Sequence, residues 1–312
     1  MLEHFTASKL HSGGIAALEH FTTQNGLSQA ARTYLISCKV EGKSKSTLTL
    51  YSIVLRGLLA LGNELSPNQI RLFLLSCQER GLKQTSILNH YKCLKAFCNW
   101  MVSENLITES PMRNIKPPKV PRMIIKPFSH YDINNLLLLC SGNRFLDLRN
   151  RAMILVFLDT ALRLSELSDI QIQDVNFDRG AIKVMGKGAK ERVVGIGRAT
   201  QKALLKYLLM RNDNYDCLWV TEERLPMQRR GVQIAIRRLA IRASITDAKR
   251  GPHTFRHTSA TMALRNGASP FDVQSLLGHS TLTMTRRYTE TVNSEDALKA
   301  HKKFSPVDNM KL

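Results

Sequence analysis

The sequence predicts a mainly α-helical protein of two domains, with a small antiparallel β-sheet in the second. Apolar residues recur at intervals of three and four through most of the chain, which is the periodicity of helices packed on a core. This period changes between Asp174 and Gly197, and three prolines interrupt it between Asn114 and Arg122. A length of 312 residues also favours two domains over one.

The three prolines mark the predicted linker, because proline disfavours helical backbone in itself and in the residue before it. We therefore predict an N-terminal extension at 1–25, an α-helical domain at 26–116, a linker at 117–123 and a second domain at 124–312. In the first domain the apolar spacing predicts four helices, over 27–38, 47–61, 67–78 and 84–104. Ser46 and Ser66 are the candidate N-caps of the second and third.

The second domain is expected to be helical around a β-hairpin. Helices are predicted after Ser129 and over 148–160, 200–211, 231–243, 254–265 and 270–277. Strands are predicted at 181–185 and 192–196, on either side of a turn rich in Gly and Lys at 186–190. The hairpin therefore has a basic tip.

The charge of the chain points to a polyanionic partner. Lys and Arg number 45 against 25 Asp and Glu, which gives a formal charge of +20 and a sequence pI near 10.0. Both sides of residue 120 are basic, with 14 basic and 7 acidic residues before it and 31 and 18 after it. Nucleic acid is the leading candidate partner, and both domains are expected to contact it.

A membrane partner is not expected, because no apolar run approaches the roughly 20 residues that span a bilayer. The N-terminus lacks the basic start and apolar block of a secretion signal, so we expect a cytoplasmic protein. The six cysteines lie singly in apolar segments, which predicts buried reduced thiols rather than a metal site.

Basic residues also stand between the apolar stripes of the first domain. Any one of them alone is as readily a solvated surface residue, but as a set in so basic a chain they favour a phosphate-contacting face. The candidate DNA-binding residues are Lys43, Lys45, Arg56, Lys83, Lys92 and Lys95.

Reactive side chains are densest near the C-terminus. Three segments carry them: His253-Thr254-Phe255-Arg256-His257, Gly278-His279 and Arg286-Arg287-Tyr288. If Pro252 opens a helix, His253 and Arg256 share one face of its first turn. Gly278 fits the end of the following helix, which places His279 just beyond it.

Two further cations come from earlier in the sequence: Arg163, at the junction of two helical segments, and Lys187, at the hairpin tip. Transesterification at a phosphodiester is the task that would use all these groups. Arg163 and Arg256 suit the extra negative charge of a phosphorane-like transition state. Tyr288, with an ordinary pKa of about 10, needs a cationic field or a base to attack, and Lys187 suits a general acid for the leaving hydroxyl.

This ordered set resembles the tyrosine recombinase (phage integrase) family, and most closely its bacterial Xer-type branch. The matching motifs are Thr160 to Leu167, Gly186-Lys187-Gly188, His253 to Arg256, Gly278-His279 and Tyr288. One departure is Ala161, where the family usually has Gly; the methyl group is expected to be tolerated on a helical backbone. Lys183 and Lys190 are further hairpin lysines, and Lys187 matches the family best.

The resemblance implies a two-domain DNA clamp, with a core DNA-binding domain at 26–116 and a catalytic domain at 124–312. It implies that Arg163 and Arg256 bind the scissile phosphate, that Lys187 protonates the leaving oxygen and that His253 and His279 assist. Tyr288 would form a 3′-phosphotyrosyl link. Glu166 would help to order the active site, and His257, directly after Arg256, is expected to be a structural hydrogen-bonding residue.

The predicted function is therefore site-specific recombination of double-stranded DNA by a tetramer on two sites, through a Holliday junction. A second recombinase or an accessory protein is a further partner class, and no cofactor, metal or ATP is expected. The alternatives are a non-catalytic basic DNA-binding or architectural protein and an enzyme of the same chemistry, a type IB topoisomerase or a telomere resolvase. The resemblance also implies that the C-terminal tail docks on a neighbouring protomer.

Overall fold

The computed structural model describes residues 26–121, 126–186, 191–278 and 281. Residue contacts divide the chain into two compact units, Met1–Met123 and Ile124–Leu312. The described part of the first unit consists of four helices and the segments that join them. They are α1 (Gly26–Val40), α2 (Lys45–Leu59), α3 (Pro67–Glu79) and α4 (Gln84–Ser103).

All four predicted helices of the first unit are present, but the start of α2 differs from the prediction. Ser44, not Ser46, is the N-cap: its backbone is extended and its hydroxyl accepts a hydrogen bond from the Thr47 N–H. Ser46 instead lies in the first turn of the helix. Ser66 caps α3 as predicted, accepting from the Gln69 N–H.

Aromatic and aliphatic side chains fill the core of the first unit. Tyr34 stacks on Tyr51 with ring centroids 5.6 Å apart, and Val54, Ile70 and Leu94 are fully buried. The Tyr91 hydroxyl donates to the Ile115 carbonyl at 2.7 Å, which fixes the chain after α4 against that helix. Residues 115–121 then follow without helix or strand.

The second unit is mostly helical with one three-stranded sheet. Its helices are α5 (His130–Leu138), α6 (Phe145–Thr160), α7 (Leu164–Ser168), α8 (Arg198–Leu209), α9 (Arg229–Arg242), α10 (Pro252–Arg265) and α11 (Pro270–Leu277). Its strands are β1 (Val175–Asn176), β2 (Ala181–Met185) and β3 (Glu191–Gly195). Helix α6 begins three residues earlier than predicted, because Phe145 is buried against Tyr207.

The sheet is antiparallel in the order β1-β2-β3. The hairpin register pairs Ile182 with Val194, and these two residues and Val184 are buried while Lys183 is exposed. The predicted β2–β3 hairpin is therefore confirmed, whereas β1 was missed because two residues are too short to show a period of two.

Helix α6 is the centre of the second unit. Ala152, Met153, Val156 and Phe157 are fully buried, and the helix packs against α8 on one side and α10 on another. Phe157 stacks on Phe255 of α10 with ring centroids 5.5 Å apart. This packing fixes α10, and with it the next residue along, Arg256, relative to the end of α6.

Five of the cysteines are buried free thiols and Cys217 is half-buried, as predicted. No helix within the described ranges is long and apolar enough to cross a membrane. Among the same residues, no group of three or more His, Cys, Asp and Glu side chains is placed to hold a metal ion.

Candidate active site

Arg256 joins the C-terminal ends of two helices. It lies in the second turn of α10, is 6% exposed, and is preceded by Pro252 at the first helical position, as predicted. Its Nη1 donates to the Ala161 carbonyl after α6, and its Nη2 donates to the Leu277 carbonyl at the end of α11, both at 2.6 Å. Carbonyls at helix C-termini carry partial negative charge, so they stabilise and orient the buried guanidinium.

Arg163 is held by the carboxylate of Glu166, three residues further along the chain. It is the N-cap of α7, with extended backbone, and its backbone N–H donates to Glu166 Oε2 at 2.8 Å. Its Nη1 donates to Glu166 Oε1 at 2.7 Å. The Arg163 side chain is 30% exposed and that of Glu166 only 3%, so the carboxylate is buried while part of the guanidinium faces solvent.

A second arginine binds the same carboxylate and was not predicted. Arg192 of β3 donates from Nη1 to Glu166 Oε1 and from Nη2 to Glu166 Oε2, both at 2.9 Å. This is the paired geometry in which arginine and carboxylate bind most strongly. Arg192 and Glu166 are 26 positions apart, so neither helix nor strand periodicity links them in the sequence. The one available signal for this ion pair was a charged residue on the hairpin, next to the turn rich in Gly and Lys.

The two arginines set the protonation state of Glu166. Burial alone would raise the pKa of this carboxyl group, but the hydrogen bonds from Arg192 and Arg163 outweigh burial and lower the pKa to about 2. Glu166 is therefore ionised at neutral pH. Its negative charge balances one of the two arginines, so Arg163, Arg192 and Glu166 together carry one net positive charge.

The expectation of helical backbone at Ala161 was wrong. Ala161 has φ 51° and ψ 28°, the left-handed conformation in which its methyl group costs about 1–2 kcal/mol. Glycine avoids that cost. This left-handed residue ends α6 and turns its own carbonyl toward Arg256. The strained backbone therefore provides one of the two acceptors that orient Arg256.

Replacing Ala161 by Gly is expected to change the free energy of unfolding by less than about 1 kcal/mol, although Ala161 is fully buried. Relief of left-handed strain offsets the lost methyl burial of about 0.8 kcal/mol and the entropy that glycine adds to the unfolded chain. Ala152→Gly, fully buried inside α6, is the control, with an expected loss of about 2 kcal/mol. Urea unfolding of both variants tests this; equal losses would contradict the strain argument.

Helix α11 ends where the sequence predicts. Ser269 forms a capping box with Asp272 at its start, and Gly278 ends it in the left-handed conformation with φ 59°. A Cβ atom at Gly278 would lie 3.3 Å from the Arg192 side chain. Glycine is therefore favoured here both by its left-handed backbone conformation and by the close approach of Arg192.

Other predicted site residues have mixed outcomes. His253 is exposed one turn before Arg256, and His257 is buried, 4% exposed. Lys183 forms ion pairs with Asp174 and Glu191, at 4.0 and 3.6 Å. Lys187, Lys190, His279 and Tyr288 lie outside the described residues. The structure thus brings together Arg163, Glu166 and Arg192, and links Arg256 to Ala161, two residues before Arg163.

Comparison with known proteins decides the family. Residues 127–295 match the phage integrase family, a span that contains every predicted catalytic residue. The chain belongs to the phage integrase family. Its relatives include the tyrosine recombinase XerA of Thermococcus kodakarensis, which is 32% identical over 290 residues, covering 92% of this chain and 98% of XerA. XerD of Yersinia pestis is 32% identical over 247 residues, covering 77% and 82%.

Solved structures agree on the fold of this phage integrase family member. A XerA crystal structure is 26% identical and covers 89% of this chain and 99% of its own, with a TM-score of 0.50. The Tn1549 transposon integrase in complex with a circular intermediate DNA is 19% identical and covers 88% and 99%, with a TM-score of 0.71. The chain is a tyrosine-type site-specific DNA recombinase.

The six predicted DNA-binding residues of this recombinase lie on the surface of the first unit. Lys45, Arg56, Lys83, Lys92 and Lys95 are exposed. Lys43 is half-buried and pairs with Glu41 at 2.7 Å, which neutralises part of its charge. Lys45 opens α2 and Lys83 is the N-cap of α4, whereas Arg56 lies in the last turn of α2 and Lys92 and Lys95 lie in the middle of α4. Their contact with DNA stays a prediction.

A second basic surface, on α9, was overlooked in the sequence. This helix has no acidic residue and carries five exposed arginines, none of which forms an ion pair with a described residue. They are Arg229, Arg230, Arg237, Arg238 and Arg242. Its buried residues, among them Val232, Ile236 and Leu239, hold one face on the core. The repeated Arg-Arg pairs were the available signal.

Proposed function

We propose that this recombinase cleaves DNA with Tyr288 as its nucleophile. The Tyr288 hydroxyl oxygen attacks a backbone phosphorus, the bond from phosphorus to the 5′ oxygen breaks, and a 3′-phosphotyrosyl link forms. The leaving 5′ hydroxyl needs a proton, for which Lys187 is the general acid. Attack by a 5′ hydroxyl of another strand reverses the step, so the bond energy is conserved and no ATP is consumed.

The observation that carries the proposal is the fixed placement of Arg163 and Arg256. Arg256 is bonded to the carbonyl of Ala161, two residues before Arg163, and to that of Leu277, two residues before His279. Two guanidinium groups held this way match the charge that a phosphorane-like transition state develops on its nonbridging oxygens. Because their partners hold them before substrate binds, little reorganisation is needed during reaction.

The histidines complete this site as assisting groups. His253 lies exposed one turn before Arg256 on α10, where an imidazole is able to donate to a phosphate oxygen or accept the phenolic proton. His279 follows Gly278, which directs the chain out of α11. His257, buried beside Arg256, supports the helix rather than touching the phosphate.

At the level of the assembly we propose a two-domain clamp on duplex DNA: an extension at 1–25, a core DNA-binding domain at 26–116, a linker at 117–123 and a catalytic domain at 124–312. Four protomers would act on two sites and exchange strands through a Holliday junction, with the C-terminal tail docking on a neighbour. A second recombinase or accessory protein is a further candidate partner. The site of action would be the cytoplasm.

The exposed arginines of α9 add to the proposed DNA surface. Replacing Arg230 and Arg237 together by Gln is expected to lower the slope of log affinity against log salt by about 2, because each phosphate contact contributes roughly 0.9. The two residues are seven apart and so lie on one face of the helix. Fluorescence anisotropy at several salt concentrations measures the slope.

Arg144→Gln is the matched control for these two arginines. Its side chain is 90% exposed and pairs with Asp147, so its loss removes one positive charge from the same unit at a place outside α9. The control is expected to leave the slope close to that of the wild type. A double variant with an unchanged slope would remove α9 from the DNA surface.

A nicked suicide substrate tests the proposed chemistry. The short strand beyond the nick dissociates after cleavage, so the covalent protein–DNA adduct accumulates and is seen as a shifted band under denaturing conditions. Mass spectrometry of the digested adduct is expected to place the nucleotide on Tyr288. Absence of any adduct on cognate DNA, or attachment at another residue, would reject the proposal.

Native gel shift and plasmid relaxation, run beside the adduct assay, would reveal the alternative functions. A non-catalytic DNA-binding protein would shift native DNA and give no adduct. A topoisomerase would relax supercoiled plasmid without preference for a site, whereas a recombinase forms its adduct at defined phosphates and produces recombinant strands.

A further inference from the structure

Arg192 occupies the face of Glu166 that Arg163 would otherwise take. Its two Nη groups bind the two carboxylate oxygens in parallel, both at 2.9 Å, and its side chain is 17% exposed. The Arg192 Nε is buried with no hydrogen-bond partner in the described ranges. The pair with Glu166 is therefore the polar contact that sets its position.

All acceptor positions of the Glu166 carboxylate are filled. A carboxylate offers about four lone-pair sites, two on each oxygen. Oε1 accepts from Nη1 of Arg163 and Nη1 of Arg192, and Oε2 accepts from the Arg163 backbone N–H and Nη2 of Arg192. Arg163 therefore has a single side-chain bond to Glu166, and its Nη2 and Nε have no hydrogen-bond partner among the described residues.

Removing Arg192 would change this balance. A buried carboxylate and a nearby guanidinium favour the paired geometry with two parallel bonds, and Arg192 occupies the acceptor sites on both oxygens that Arg163 would need for it. With both of its bonds on Glu166, Arg163 would turn its remaining donors away from the solvent-facing side where a phosphate binds.

We infer that Arg192 is a positioning residue: by taking the paired face of Glu166, it restricts Arg163 to one carboxylate bond and keeps the other donors of Arg163 available for the scissile phosphate. This inference rests on the proposed function. It goes beyond it by assigning a role in phosphate binding to a residue that does not itself touch the phosphate.

The location of Arg192 gives this role a second consequence. It is the second residue of β3, on the hairpin that carries Lys187, and it lies against Gly278 at the end of α11. One side chain thus connects the hairpin, the Arg163 motif and the residue before His279. Displacing the hairpin would withdraw Arg192 from Glu166, so hairpin position and Arg163 orientation are coupled.

Arg192→Met tests the inference in the full chain with the nicked substrate. Methionine keeps the length of the stem and removes the guanidinium. Single-turnover adduct formation is expected to slow by about 10- to 100-fold, the range seen when supporting groups of a site are lost, with little change in DNA affinity. The control is Arg179→Met, an exposed arginine on the same unit, which is expected to cleave at the wild-type rate.

A double-mutant cycle separates positioning from general damage. If Arg192 acts through Glu166, Arg192→Met should slow cleavage by less than about threefold in a Glu166→Gln background, because the carboxylate it masks is already gone. Damage that does not pass through Glu166 would give the full loss in both backgrounds. Full loss in both, or wild-type cleavage by Arg192→Met, would overturn the inference.

Arg192→Lys covers the case in which Arg192→Met does not fold. Lysine keeps the charge but is a single point donor without the planar fork, so it leaves part of the paired face of Glu166 open to Arg163. An intermediate cleavage rate with a normal unfolding midpoint is expected. A wild-type rate for Arg192→Lys would show that the paired geometry is not needed and would also overturn the inference.

The wild-type reaction separates this inference from the proposed function. If wild type forms no adduct, the proposed chemistry itself fails. If wild type forms the adduct on Tyr288 and the Arg192 variants cleave normally, only the positioning role fails.

Discussion

Tyr288→Phe is expected to form no detectable adduct on the nicked substrate, which corresponds to a fall in cleavage rate of at least about 10⁴-fold. The substitution removes the one oxygen that would bond to phosphorus and leaves the ring in place. Loss of a nucleophile removes the reaction path itself, whereas loss of a charge partner only raises its barrier. DNA binding is expected to persist, because phosphate contacts by Lys and Arg supply most of the affinity.

Tyr215→Phe is the matched control for this variant. Tyr215 is exposed on the same unit, so its hydroxyl is removed without touching any residue of the proposed site. Adduct formation at the wild-type rate is expected. If Tyr288→Phe still forms an adduct, the nucleophile is another residue, and the ordered set of motifs was assigned to the wrong tyrosine.

Most of the helices could be predicted because each has a buried stripe at helical spacing. Helix α11 begins at Pro270 and ends at Leu277 as expected, since Ser269 and Gly278 have strong cap preferences. Strand β2 was equally clear, because the turn rich in Gly and Lys marks where its period of two ends. The start of α2 was wrong since Ser44 and Ser46 are both good caps, and only the hydrogen bond to Thr47 distinguishes them.

The residues of the candidate site could be picked out in the sequence, whereas the geometry that supports them could not. Arg163, Glu166 and Arg256 stand in recognisable motifs. Arg192 contacts Glu166, which is 26 positions earlier in the sequence. This contact could not be predicted, because a sequence pattern shows only which residues are neighbours within one helix or strand. Ala161 shows the same limit, because its left-handed backbone follows from the end of α6 and the bond to Arg256 rather than from its own residue type.

Arg256→Lys is expected to slow cleavage by about 10³-fold, the upper range for loss of one transition-state hydrogen-bond donor. Arg256 donates to two carbonyls at once, those of Ala161 and Leu277, and these two bonds fix the plane of its guanidinium group. A lysine ammonium is a point charge on a flexible stem and cannot hold both carbonyls in that geometry. One buried carbonyl would be left unsatisfied, which costs about 1–3 kcal/mol of stability.

Arg149→Lys separates the two effects of the Arg256 variant. Arg149 is 5% exposed and donates from Nη1 to the Val220 carbonyl at 3.0 Å, so it is a buried arginine bonded to backbone at a place outside the site. It is expected to lose similar stability and to cleave at the wild-type rate once folded. Equal cleavage rates for the two variants would mean that Arg256 only holds helices together, and that the cation binding the phosphate lies elsewhere.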